Sequence, residues 1–226
     1  MQQRFHEERL VGLLMTFVGG AMDGYTYIHY DAFASAQTGN LILAIIQGFD
    51  GQWGSVMKKL LSTLCFLCGI YLAKFVADYC QEKGWHFWRL FVLYYEGFVF
   101  FLVSLPAINE HPAFVTMLIA FTAAIQWIAF DKIKGMSYTN LFTTGNLKGL
   151  ASHFYEYRKT RAEEEFEQLI HFVLVVVFFI LGAVSSIGLY HLVGFKAILL
   201  VTVICLCLSI YATYMLWRFS KSEFSR

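Results

Sequence analysis

Two short polar stretches in an otherwise apolar chain hold the residue types that could do chemistry: Gln37-Thr38-Gly39-Asn40 and Thr144-Gly145-Asn146. Each closes a run of small or polar residues, Ala34-Ser35-Ala36 in the first case and Thr139-Asn140-Leu141-Phe142-Thr143 in the second, and each opens onto a short helical pattern. Thr or Asn at a helix start can cap backbone N–H groups that have no partner within the helix, and Gly admits another backbone at close range. Two helix N-termini aimed at one point would carry partial positive charge and favour an anionic or polar solute. The other reading makes both stretches capping and packing devices for irregular backbone, with no ligand.

Three further polar groups sit inside apolar segments: the carboxyls of Asp23 and Glu96 and the amide of Gln126. An ionised Asp near the centre of a bilayer costs at least ~2.5–3.5 kcal/mol on insertion scales, so such a group faces a cavity or has a partner. The carboxyls either take up a proton or cation as coupling groups, or bond the broken backbone as neutral acids. Gln126 bonds either a solute or that same backbone.

The elements that must position these groups are membrane helices. Of 226 residues, 58% are hydrophobic and only 15% charged, and mean hydropathy is +0.57, whereas soluble domains are about 45–50% apolar and about 25% charged. Several apolar runs of about 18 residues or more predict an all-α integral membrane protein. The alternating segments of about ten residues that a membrane barrel needs are absent. A net charge of +1 with no basic stripe gives no footprint for nucleic acid. Arg4 and Arg9 precede the first apolar run, but Asp23 lies within it and no small-residue cleavage site follows, which predicts an uncleaved helix rather than a signal peptide. Cys65 and Cys68 share a helix face without a second Cys pair or a His, so the cysteines read as small buried hydrophobes. His29, His111, His171 and His191 fall at predicted helix ends or in loops and read as interfacial polar residues. With no metal-ligand spacing and no nucleophile beside a base, neither a metal, a cofactor nor an enzyme is expected.

The chain repeats itself. Segments Leu10–His29, Phe33–Phe49, Val56–Asp78 and Trp88–Leu105 are followed, after a loop bracketed by Pro106 and Pro112, by Ala113–Phe130, the second Thr-Gly-Asn stretch, Gln168–Tyr190 and Phe195–Trp217. Asp23 then corresponds to Gln126, Phe66-x-x-Gly69 to Phe179-x-x-Gly182, and Glu96 to Ser209, which is an internal duplication with halves 1–105 and 106–226. If both Thr-Gly-Asn segments crossed the bilayer, Lys132 and Lys134 would face outward against the positive-inside rule. If both only dip in and return, the N-terminus, Lys83, Arg89, the cluster from Lys132 to Arg161, and the C-terminal Arg218, Lys221 and Arg226 all lie inside. Only Lys58, Lys59 and Lys196 lie outside, at helix starts from which they can snorkel. The predicted architecture is therefore six transmembrane helices plus two short broken or re-entrant helices in a 3+3 inverted repeat. Arg158–Glu167, with Lys159–Glu163 and Arg161–Glu165 four residues apart, predicts a solvated connecting helix.

At Asp23, Thr38-Gly39-Asn40, Glu96, Gln126 and Thr144-Gly145-Asn146 the chain resembles the YoaK-like family of bacterial multi-pass membrane proteins. The likeness covers nearly the whole chain, with Trp127 standing where the family usually has Asn. The resemblance implies a location in the bacterial cytoplasmic (inner) membrane and no substrate; the charge pattern places both termini on the cytoplasmic side. The expected function is a small-solute transporter or channel. Its substrate site would comprise Asp23, Gln37, Thr38, Gly39, Asn40, Glu96, Gln126, Thr144, Gly145 and Asn146, and proton or cation coupling could act through the carboxyls. The alternative is a non-transporting scaffold protein, which a closed and fully hydrogen-bonded centre would favour. Expected partners are the lipid bilayer, a small anionic or polar solute and a second copy in a homodimer, with no nucleic acid.

Overall fold

The computed structural model describes residues 5–85 and 87–224, with residues 219–224 described by their backbone alone; Arg4, Arg226 and the side chain of Lys221 fall outside the described residues. A 3-10 turn at Phe5–Glu7 leads into α1 (Arg9–Tyr30), α2 (Gln37–Phe49), α3 (Trp53–Glu82) and α4 (Trp88–Val103). The short α5 (Pro106–Asn109) and α6 (Pro112–Ala129) follow, then a hairpin of β1 (Lys132–Ile133) and β2 (Met136–Ser137), then α7 (Thr144–Thr160), α8 (Glu163–Val193) and α9 (Leu199–Phe224). The described residues are 84% helical, so the all-α class stands.

Local differences from expectation have local causes. Pro106 and Pro112 do not bracket a loop but each opens a helix, since proline lacks only an N–H that the first helical position leaves unused. Lys134 and Gly135 both take positive φ, which closes the unexpected hairpin as a tight turn of the primed kind. The solvated helix expected over Arg158–Glu167 is broken. Arg161 takes a left-handed φ of 56 and ends α7, and Glu163, Glu164 and Glu165 begin α8, where negative charge suits the helix N-terminus. Glu165 instead meets His153, 2.7 Å away on α7. Of the cysteines, Cys80 and Cys205 are buried as expected, but Cys68 and Cys207 are exposed.

Among the described residues three stretches are long and apolar enough to cross a membrane: Trp53–Glu82, Pro112–Ala129 and Glu163–Arg218. Along α3 the exposed face carries Leu60, Leu64, Leu67, Tyr71 and Phe75. An exposed apolar stripe of this length is what a lipid solvent requires. Helix α1 is built the other way round. It holds Asp23, Thr16 and Thr26, yet most of it is buried among other helices, so protein rather than lipid surrounds its polar groups.

The packing exchanges the two halves. Helix α1 lies along α8 while α3 lies along α6, α2 packs on α3 as α7 packs on α8, and α4 meets α9. A Cβ on Gly20 would overlap the carbonyl of Phe179, and one on Gly182 would overlap the carbonyl of Phe17. At the other pairing, a Cβ on Gly69 would stand 2.6 Å from the Phe121 carbonyl oxygen. Both Phe-x-x-Gly motifs thus let one helix backbone ride on another, as small residues do between membrane helices.

Helices α1 and α6 run antiparallel. Beyond the start of α6, Asn109 accepts a hydrogen bond from Tyr30 Oη at its carbonyl, 3.1 Å, and its Oδ1 lies 2.7 Å from His29 Nε2, both at the end of α1. Near the end of α6, Gln126 Nε2 donates to the Met15 carbonyl in the first half of α1, 3.0 Å.

Candidate functional site

Neither Thr-Gly-Asn stretch precedes its helix; each forms the first turn of it, α2 beginning at Gln37 and α7 at Thr144. No side chain caps either helix start, which corrects the capping role expected of the threonines. Thr38, Thr144 and Gly145 are exposed. Gly39 packs on the ring of Phe33, whereas a Cβ on Gly145 would meet nothing within 4 Å.

The asparagines do the structural work, and they do it identically. Asn40 Oδ1 accepts from the N–H of Phe33, 2.8 Å, and its Nδ2 donates to the Phe33 carbonyl, 2.8 Å. Asn146 Oδ1 accepts from the N–H of Thr139, 3.1 Å, and its Nδ2 donates to the Thr139 carbonyl, 2.7 Å. Each side-chain amide thus clasps both polar groups of the residue seven positions upstream, satisfying backbone that no helix or sheet serves. Gln37 completes the first clasp: its Nε2 donates to the Ala34 carbonyl, and its Oε1 accepts from Asn40 and Thr63.

Asp23 anchors the first irregular segment. Its Oδ1 accepts the Ser35 N–H at 2.7 Å and its Oδ2 accepts the Ser35 hydroxyl at 2.6 Å. The chain therefore leaves α1 at Tyr30, turns back along it to the level of Asp23 by Ser35, and runs out again as α2. Asp31 and Gln47, near the two ends of this excursion, are joined to each other at 2.6 Å and both to the buried Lys59, at 2.9 and 2.8 Å. The segment enters and leaves at one end of the bundle. Lys58 donates to the Tyr30 carbonyl beside them. Lys59, expected to snorkel outward, is fully buried in this ion pair. Partial burial works to raise the pKa of Asp31, but the hydrogen bonds from Lys59 and Gln47 and the charges of Lys59 and Lys58 outweigh it and hold the carboxyl below its ordinary value.

The second half repeats the excursion from the opposite end of α1. After the hairpin, Asn140 returns to the level of Gln126, donating from Nδ2 to the carbonyls of Gln126 and Phe130 at 3.3 and 2.6 Å. The backbone at Asn140 and Leu141 lies on Gly19 of α1 so closely that a Cβ there would overlap the Asn140 carbonyl. Where the two excursions meet, the Ser35 hydroxyl oxygen lies 3.0 Å from the Leu141 carbonyl, so its one proton is shared between that oxygen and the nearer Asp23 carboxylate.

The polar groups at this centre are unevenly served. Asp23 is bonded through both oxygens, but Gln126 Oε1, Asn140 Oδ1 and Thr143 Oγ1 are buried with no hydrogen-bond partner among the described residues. Neither amide can be turned to relieve this, because each NH2 already points at carbonyl oxygens. Glu96 lies elsewhere. Buried between α4 and α9, its Oε2 accepts from Cys205 Sγ at 3.6 Å and its Oε1 has no partner among the described residues.

Of the ten expected site residues, then, Asp23, Gln37, Asn40, Gln126 and Asn146 gather around the two buried excursions. Thr38, Thr144 and Gly145 face outward, Gly39 packs locally, and Glu96 has no hydrogen bond to the others. Sequence reasoning passed over Ser35 and Asn140 although both lie in the polar runs that marked the site. Lys59 gave no signal, its partner being 28 residues away.

No curated protein and no solved structure matches the chain. The family model described as "Protein of unknown function (DUF1275)" matches residues 11–211, and the chain belongs to that family.

Proposed function

We propose that the protein is a small-solute membrane transporter built as a 3+3 inverted repeat, in which α1, α3, α4, α6, α8 and α9 cross the bilayer and α2 and α7 are re-entrant from opposite sides. The antiparallel course of α1 and α6, and the exchange of the α1–α8 and α3–α6 pairings, support the repeat. On this plan the end carrying Lys83, Arg89, Lys132 and Arg158 faces the cytoplasm, together with both termini.

One observation carries the functional reading: Ser35 and Leu141, equivalent positions of two non-helical segments, touch in the buried centre of the bundle. Non-helical backbone at membrane depth is tolerated where protein buries it or where it lines a cavity, and transporter sites form where such broken segments meet. The buried groups without partners here are acceptors or hydroxyls, so the solute that fits is a small polar molecule or cation bringing hydrogen-bond donors or positive charge. This differs from the anion that helix N-termini alone suggest. The solute would lie against Gln126 and Asn140, with Asp23 and Ser35 fixing the opposite excursion.

The test is flux into liposomes holding the purified chain, screened over small amines, alcohols, amides and monovalent cations. Gln126→Leu, which removes the open acceptor, should abolish the flux of whichever solute the parent moves while the protein still elutes as a folded species. No flux for any solute, or unchanged flux in a folded Gln126→Leu, overturns the assignment.

A second reading has one observation in its favour. The amides of Asn40 and Asn146 are spent on backbone, as they would be in a scaffold protein whose re-entrant segments serve only to pack. The same flux screen separates the two.

A further inference from the structure

The helix pair α3 and α4 is consecutive in sequence but splayed, and α6 floors the gap. There the structure holds a cavity of about 660 Å³ lined by Leu72, Val76, Cys80, Trp88, Phe91 and Phe121, among others. That volume is in the range of sites that hold a small molecule. Its walls are almost wholly apolar; Tyr95, the one hydroxyl bearer in the lining, turns its Oη to Thr122 at 3.1 Å. The outer rims, Leu72 on α3 and Phe91 on α4, are exposed on the same lipid-type surface as the α3 stripe.

One end of this groove is different in character. Trp85 and Trp88 line it, as aromatic residues do at the level of lipid headgroups. The guanidinium of Arg89 stands over the Trp88 ring at 4.8 Å. Lys83 Nζ stands over Tyr79 at 5.9 Å, and Tyr79 meets Trp85 edge-on at 6.1 Å. Arg89 is thus one ring removed from the groove and Lys83 two. Helical register adds to this. Lys83 follows Val76 by seven residues and Cys80 by three, which puts it on the groove face of α3. The acids of that end of α3, Asp78 and Glu82, fall on other faces.

We propose that this groove is a binding site for one phospholipid with an anionic headgroup, its acyl chain lying between α3 and α4 and its phosphate held at the Trp85–Trp88 end by Lys83, with Arg89, whose Nε donates to the Ala129 carbonyl at 2.7 Å, adding positive charge there. An apolar trough opening toward hydrocarbon takes a hydrocarbon chain. Basic residues at the headgroup end of a cleft between membrane helices then select the negative lipid. The site is separate from the two re-entrant excursions, and its occupancy does not depend on whether they carry a solute.

The experiment is native mass spectrometry of the full chain released from detergent with phosphatidylglycerol or phosphatidylcholine added. The parent should retain one phosphatidylglycerol per chain and release phosphatidylcholine more readily. Val76→Trp, which fills the trough, should lower retention of phosphatidylglycerol by about tenfold. Lys83→Gln, at an exposed helix end where folding is not at stake, should weaken phosphatidylglycerol about fivefold and leave phosphatidylcholine unchanged. Equal retention of the two lipids by the parent, or unchanged headgroup preference in Lys83→Gln, overturns the proposal. A lipid-free dimer in the parent spectrum that Val76→Trp disrupts also overturns it, and assigns the face to a second copy of the chain.

Discussion

The hydroxyl oxygen of Ser35, bonded to Asp23 at 2.6 Å, also lies 3.0 Å from the carbonyl of Leu141, a contact between two positions 106 residues apart in the chain. Asn40 and Asn146 are separated by the same interval, and each clasps the residue seven positions before it. The contact thus joins two positions that stand in the same register to the two asparagine clasps, which is what the proposed repeat requires. Two polar segments that would each be costly alone in hydrocarbon shelter one another between α1 and its neighbours.

The asparagine clasps are expected to be structural before they are functional. Asn40→Ala and Asn146→Ala each strand a partly buried backbone N–H and carbonyl, at a cost of about 1 kcal/mol per unsatisfied group, the low end of the range for buried ones. Both variants should lose thermal stability in detergent relative to the parent. Variants that melt with the parent would show that the clasped backbone has other partners.

The helix crossings at glycine should be intolerant in a position-specific way. Gly20→Leu forces α1 away from the Phe179 carbonyl, a backbone atom that cannot rotate aside, and overpacking of this kind costs about 1–3 kcal/mol or more. Gly188→Leu, where a Cβ would meet nothing within 4 Å on α8, should change stability by no more than about 0.5 kcal/mol. Equal effects at the two sites, measured by thermal denaturation, would contradict the packing described.

The Asp31–Lys59 tie makes a pH prediction. The folded-state pKa of Asp31 lies below its ordinary value, which is about 3.9 in an unfolded chain. Its contribution is thus complete above that ordinary value and is lost as pH falls through the lower folded value. With its side chain half exposed, solvent screening limits the contribution to about 1 kcal/mol. Asp31→Asn should be less stable than the parent at neutral pH, and the two should converge in acid. A difference that persists or grows in acid would rule out the ion pair as its source.

Much of this fold could be read from the chain because lipid imposes a simple code. The apolar runs of α3, α6, α8 and α9, the Phe-x-x-Gly pair and the twin Thr-Gly-Asn stretches all appear where the pattern put them. What could not be read were groups whose partners are remote in sequence. Lys59 looks like a snorkelling surface residue until Asp31 is folded onto it, and the open oxygen of Gln126 is visible only once Met15 has claimed its NH2. Short-range chemistry misled in two places. The threonines of Thr-Gly-Asn suggested caps but face outward, and the Arg158–Glu167 charges suggested one helix although Arg161 ends it.

The orientation of the two excursions is open to one direct measurement. In a chain with its native cysteines replaced, Gln52→Cys marks the exposed turn after α2 and Lys159→Cys the exposed end of α7. A membrane-impermeant thiol reagent applied to intact cells, and then to inverted vesicles, should label Gln52→Cys only from outside and Lys159→Cys only from the cytoplasmic side. Labelling of both from a single side would contradict the inverted arrangement, and with it the meeting of two half-helices from opposite leaflets.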